Sequence, residues 1–207
     1  MELVLSEDID KVNRRLFNKM SECRLCPHVN HAQIYPGIYR PGQKYFFVGA
    51  APWNLEGEQE AFRVSSAAQN FTKYIHAAGI SRAECFTTNA VVHIPIDPRS
   101  KSRQPVPYEI SNCSRYLEEY INILKPKLVI ALGSVALQAL NGIFVSSFKK
   151  VNDSFRRAVH WNGRYLMVCT HPSPMATSFR GDEEQIKDYK AIKEFYEQYC
   201  QSSPENV

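Results

Sequence analysis

Four short apolar runs, separated by stretches of helical periodicity, constrain this 207-residue chain more than any other feature. Tyr45 to Val48, Phe86 to Val92, Leu128 to Leu132 and Tyr165 to Thr170 read as buried strands. Between them, Ala68, Phe71 and Ile75 mark one helix, which Gly79 closes. Ile110, Cys113, Leu117, Ile121 and Leu124 form the seam of a longer one, opened by Pro107 and stopped by Pro126. Ser134 to Leu140 is a short helix, and Asp182 to Tyr199 an amphipathic last one. An N-terminal helix is expected with Ser6 as its cap and Ile9, Val12, Leu16 and Met20 as its stripe. The stretch from Gly142 to Gly163 has room for a hairpin around Asn162 and Gly163. Alternation of this kind predicts an α/β fold: a three-layer α/β/α sandwich around a central four-stranded, mostly parallel sheet.

Length predicts a single domain over 1–207, with an N-terminal helix over 1–22 and a polar, frayed tail over 201–207. No apolar run approaches the roughly 18 to 20 residues needed to cross a bilayer, so no membrane role is expected. The opening MELVLSEDIDK carries acids where a secretory signal would carry positive charge, which points to the cytoplasm. A net charge of +4 permits a polyanionic partner without requiring one. Six cysteines are too few for a disulfide scaffold, so the close pair Cys23 and Cys26 reads first as metal or redox ligands.

In a parallel sheet the ligand crevice lies beyond the carboxyl ends of the strands. Gly49-Ala50-Ala51-Pro52-Trp53, Asn89, Gly133-Ser134 and His171-Pro172-Ser173-Pro174 all follow strands and should meet on one rim. An amide that donates and accepts, an imidazole able to meet negative charge, and aromatic faces at Trp53 and Phe62 make a pocket for a planar heterocycle.

Those residues also carry a resemblance. Cys23-Arg24-Leu25-Cys26-Pro27, FVGAAP from Phe47, TNAVVHIP from Thr88, Pro107 to Cys113, Lys125-Pro126-Lys127 with VIALG, and HPSP from His171 occur in order across nearly the whole chain. In this the sequence resembles the iron-sulfur uracil-DNA glycosylases of family 4. The resemblance implies a DNA repair enzyme that swings uracil out of DNA and hydrolyses its N-glycosidic bond, leaving an abasic site. It implies that Phe62 stacks on the base, that Asn89 accepts from N3 and donates to O4, and that His171 bonds O2 and stabilises the departing anion. Ala50 and Ala51 would line the pocket. Trp53 would wall off C5 against the thymine methyl, or serve only as a rim aromatic.

The turn departs from the family pattern, since Ala50 and Ala51 stand where relatives place acids. Glu56 and Asn54 are left to hold the attacking water, with Glu56 the expected catalytic member. Ser173, Met175, Phe179 and Arg180 resemble the loop that enters the minor groove, with Met175 or Phe179 as an apolar wedge and Arg180 on phosphate. Lys101, Arg103, Lys149, Lys150, Arg156 and Arg157 are further candidates for phosphate. The resemblance puts the metal ligands at Cys23, Cys26, His93 and Cys113, with His93 standing where the family carries a cysteine. Three thiolates and an imidazole suit a [4Fe-4S] cluster or a structural zinc, and Cys113 also belongs to an apolar seam. Uracil-containing DNA is the expected partner of a monomer. A non-catalytic or slow nucleic-acid-binding protein of the same fold, and a metal-binding regulator, are the rival readings.

Overall fold

The alternation is realised in a computed structural model that describes residues 2–52 and 65–201. Helix α1 (Glu2–Ser21) leads to strand β1 (Val29–Ile34) and strand β2 (Tyr45–Gly49). Helix α2 (Ser66–Ala77), a 3-10 turn (Arg82–Glu84), strand β3 (Cys85–Asn89) and strand β4 (His93–Pro95) follow. Then come α3 (Pro107–Leu124), β5 (Leu128–Leu132) and α4 (Ser134–Ile143). The chain continues through β6 (Ala158–Trp161), β7 (Arg164–Cys169), the short α5 (Pro174–Thr177) and α6 (Asp182–Tyr199). Among the described residues no helix is long and apolar enough to cross a membrane.

The central sheet runs in the order β3-β2-β5-β7-β6. Its first four strands are parallel and β6 is an antiparallel edge, so the sheet has five strands where four were expected. The fifth arises from the hairpin foreseen at Asn162 and Gly163. Both residues have positive φ, 46° and 73°, as a two-residue turn matching strand twist requires. A second, two-stranded sheet pairs β1 with β4.

Side chains alternate across the sheet and divide the core in two. Phe46, Val48, Phe86, Val129, Ala131, Leu166 and Val168 pack toward Leu16 and Met20 of α1, the seam of α3, and Leu137 and Leu140 of α4. Tyr45, Phe47, Leu128, Ile130, Leu132, Met167 and Cys169 face Phe71 and Ile75 of α2 and Tyr189 and Ile192 of α6. Strands buried on both faces read as continuous apolar runs, which is why they were legible as sequence. The three-layer expectation therefore holds.

Local chemistry fixes the helix ends. Arg103 donates to both oxygens of the fully buried Glu109, at 2.6 and 2.9 Å, and Glu109 Oε2 accepts the Val106 N–H at 2.9 Å. That contact staples the start of α3. Lys125 leaves α3 through a left-handed conformation, φ 45°, directly before Pro126. α1 runs from Glu2, so Ser6 lies inside the helix instead of capping it.

Candidate active site

Parallel pairing brings the strand ends to one rim by register alone. Gly49 is the partner of Asn89, and Leu132 the partner of Cys169. Past the ends, the main chain stays laced together. Ala90 N–H donates to Gly49 O at 2.9 Å, Val91 N–H to Ala50 O at 3.0 Å, and Gly133 N–H to Cys169 O at 2.8 Å. The segment after β2, the end of β3, the start of α4 and the segment carrying His171 thus occupy adjoining positions.

Asn89 is 4% exposed, and its Nδ2 is buried with no hydrogen-bond partner among the described residues. A buried amide donor without an acceptor costs on the order of 1 to 3 kcal/mol, so this one calls for an acceptor from beyond the described residues. Its Oδ1 lies against Gly49, where an added Cβ would come within 2.5 Å. His171 has a similar neighbour. A Cβ on Gly133, whose φ is +89°, would stand 3.0 Å from His171 Cβ. Burial lowers the His171 pKa below its ordinary value, which favours a neutral imidazole at neutral pH. Pro172 is held from the opposite side, where Asn70 Nδ2 of α2 donates to its carbonyl at 3.0 Å. Ala50 and Ala51 are half-buried beside Asn89 and bring no charge to the rim.

Trp53, Asn54, Glu56 and Phe62 lie outside the described residues, so their assigned roles remain expectations from sequence. The two glycines and Asn70 were missed as positioning residues. Only the glycines left a trace, as small residues directly after β-type runs.

Beyond His171, Ser173 caps the short α5, its carbonyl accepting from Ala176 and Thr177. Met175 and Phe179 are 76% and 85% exposed, large apolar side chains in water beside the rim. Arg180 corrects the sequence reading. It is turned inward: Nε and one terminal nitrogen donate to Asp188 at 2.6 and 2.7 Å, and its guanidinium sits 3.7 Å from the centre of the Phe155 ring. Asp188 is 1% exposed and needs that charge, so Arg180 is committed to the fold and not turned outward to a phosphate.

Around the expected metal ligands, burial opposes ionisation of Cys23, but the Leu25 amide, the Tyr116 hydroxyl and the Arg115 guanidinium outweigh it and lower its pKa. Arg115 lies 3.3 Å from Cys23 Sγ. The Cys26 thiol is pushed up by burial and by the charges of Glu109 and Cys23, and Asn112 Nδ2 approaches its Sγ at 3.5 Å. Cys113 is pushed up to about 12, chiefly by burial, with the Val92 amide aimed at its sulfur and the charges of Cys26 and Cys23 opposing ionisation. Burial lowers His93 to about 4, with His31 and Arg24 adding to it, and its Nε2 is buried without a partner among the described residues. Three thiols and an unspent imidazole nitrogen suit a cluster or zinc in donor chemistry. Among the described residues, however, no three metal-binding side chains are gathered closely enough to hold an ion.

Comparison with known proteins places the chain in a family. The profile of the Uracil DNA glycosylase superfamily matches residues 36–198. The Type-4 uracil-DNA glycosylase of Archaeoglobus fulgidus is 26% identical over 194 residues, covering 91% of this chain and 93% of that protein. The protein of the same description from Pyrobaculum aerophilum is 30% identical over 141 residues, covering 68% and 70%. That from Thermotoga maritima is 27% identical over 183 residues, covering 86% and 91%.

Proposed function

Because the chain belongs to the uracil DNA glycosylase superfamily, we propose that it excises uracil from DNA by hydrolysing the N-glycosidic bond, with Asn89 and His171 as the groups that touch the base. One observation carries the reading. The buried Asn89 amide, whose Nδ2 has no partner among the described residues, stands at the end of β3 on the same rim of parallel strand ends that carries His171 after β7.

Flipping a nucleotide costs a few kcal/mol of stacking and pairing, which new contacts to the base must return. The Asn89 donor addresses O4 and its oxygen accepts from N3, a pattern that uracil completes. Cleavage leaves negative charge on the base and positive character on the sugar. The neutral His171 imidazole donates toward O2 as that charge develops, and removing such a donor costs about 10²- to 10³-fold in rate. Phe62 stacks on the base, Trp53 excludes the thymine methyl, and Glu56 orients the water. Met175 or Phe179 enters the vacated stack, with Ser173 at the base of their loop. Cys23, Cys26, His93 and Cys113 would hold a [4Fe-4S] cluster, with structural zinc as the alternative. Such a group would tie the segment before β1 to β4 and α3, supplying structure and no step of base removal. The protein would act as a monomer in the cytoplasm.

A uracil-containing oligonucleotide, incubated with protein and treated with alkali, tests the reading. Scission by wild type that disappears in Asn89→Ala and His171→Ala supports it. Tight binding without scission favours a non-catalytic member of the fold, a second reading motivated by the uncharged Ala50 and Ala51. Iron with acid-labile sulfide would choose the cluster over zinc.

A further inference from the structure

Beside the rim lies a groove of about 370 Å³. Ser134 and Gln138 of α4 line it, together with Lys149 and Lys150. α4 begins one residue after Gly133, which packs on His171, so the groove opens directly from the site. The segment bearing the lysines is anchored. Asn141 Nδ2 donates to Phe148 O at 3.0 Å, Asn141 Oδ1 accepts the Ser146 N–H at 2.9 Å, and the Phe148 side chain is buried in the core.

The charges here are unspent. Arg103 is bound to Glu109, Arg156 to Glu184 and Asp188, and Arg180 to Asp188. Lys149 and Lys150 are exposed, and no carboxylate among the described residues lies within ion-pairing distance of either. Two adjacent ammonium groups with no ion-pair partner among the described residues line an open groove together with a hydroxyl and an amide, which suits a flexible polyanion. The ten residues of α4 span roughly 15 Å. At a rise of about 3.4 Å per nucleotide that is about four nucleotides of one strand.

We propose that this groove carries the DNA backbone away from the everted nucleotide, with Lys149 and Lys150 neutralising two of its phosphates. The proposal rests on the reading of the rim as a uracil site and adds the path of the flanking strand.

The test compares wild type, Lys149→Ala/Lys150→Ala and Lys11→Ala/Lys190→Ala. The last pair removes the same charge from α1 and α6. Binding to a short uracil-free duplex is measured against salt, and excision is measured on the uracil oligonucleotide. Loss of two phosphate contacts should make the slope of log affinity against log salt shallower by about 1.8. Between 50 and 200 mM salt the groove variant should then lose about tenfold less affinity than wild type loses. Its KM should rise with kcat retained, while the control pair keeps the wild-type slope. An unchanged slope and KM in the groove variant overturns the proposal, as does an equal change in the control pair. So does weakening that appears only toward an acidic peptide. Wild type that binds with the expected slope but releases no uracil defeats the excision reading and leaves the groove standing.

Discussion

Replacing Gly49 by alanine should damage activity without damaging the fold. Gly49 ends β2 outside the left-handed region, so alanine suits its backbone, and the strain falls on one contact. The new methyl would stand 2.5 Å from Asn89 Oδ1, while real Cβ atoms essentially never approach closer than 3.0 Å. The amide oxygen must therefore retreat by at least about half an ångström. The Asn89 backbone is held in register with Gly49 and by the Ala90 and Val91 amides, so the movement must come from side-chain torsion. Misplacing a reacting group by about 1 Å can cost about 10²-fold, so kcat/KM for uracil release should fall about 10- to 100-fold. That corresponds to about 1.4 to 2.7 kcal/mol. The lower entropy of the unfolded alanine chain, worth about 0.4 to 1 kcal/mol, offsets part of the clash, and thermal stability should stay near wild type. In an Asn89→Ala background the methyl has nothing to displace, so Gly49→Ala should cost no further activity. Full activity of the single variant, or losses that multiply in the double variant, would refute this account of how Asn89 is aimed.

Arg180→Ala should destabilise the protein by about 1 to 3 kcal/mol in urea unfolding, because it removes both hydrogen bonds to the buried Asp188 and leaves it only the Arg156 guanidinium at 3.6 Å. A change below about 1 kcal/mol would return Arg180 to the candidates for DNA contact. His171 is held below its ordinary pKa in the folded state, so the unfolded chain binds more protons once pH falls below about 6.5. Stability should therefore drop as pH falls from that point through the lowered folded value, and His171→Asn should flatten the drop when unfolding midpoints are compared at pH 7.5 and 5.5. Phe179→Ala removes a side chain exposed to water and should shift stability by less than about 0.5 kcal/mol. If Phe179 is the wedge, the variant should lose excision from duplex DNA more than from single strands, and equal losses on both would remove that role.

Elements buried on both faces were legible because their apolar content has no other use. The four parallel strands and the seam of α3 follow directly from residues such as Val129, Ile130 and Ile121. β1 was not, because Val29 to Ile34 includes Asn30, His31 and Gln33 and pairs irregularly with β4. Its pairing is written in a tertiary contact and not in a local pattern. Asn89 and His171 were legible as candidates because parallel strands deliver their ends to one rim. Their aim was not. It depends on Gly49 and Gly133, which act by lacking a side chain beside a neighbour distant in sequence. Arg180 failed for the complementary reason. A basic residue in a loop looks solvated until the acid that binds it, Asp188 of α6, is seen beneath it.

The composition of the rim also bears on where the catalytic effort goes. Ala50 and Ala51 bring no carboxylate beside Asn89, and on the proposed reading Asn89 and His171 both address the base and not the sugar. A site built this way lowers the barrier by accepting electrons from the bond that breaks. Water capture then follows on a sugar already carrying positive character. On the proposed chemistry, better leaving groups should gain less from His171 than poorer ones do, because they need less help in bearing charge. A 5-fluorouracil substrate, whose anion is more stable, should therefore lose less rate on His171→Ala than uracil loses. Equal losses for the two bases would mean that His171 acts elsewhere than on the departing ring.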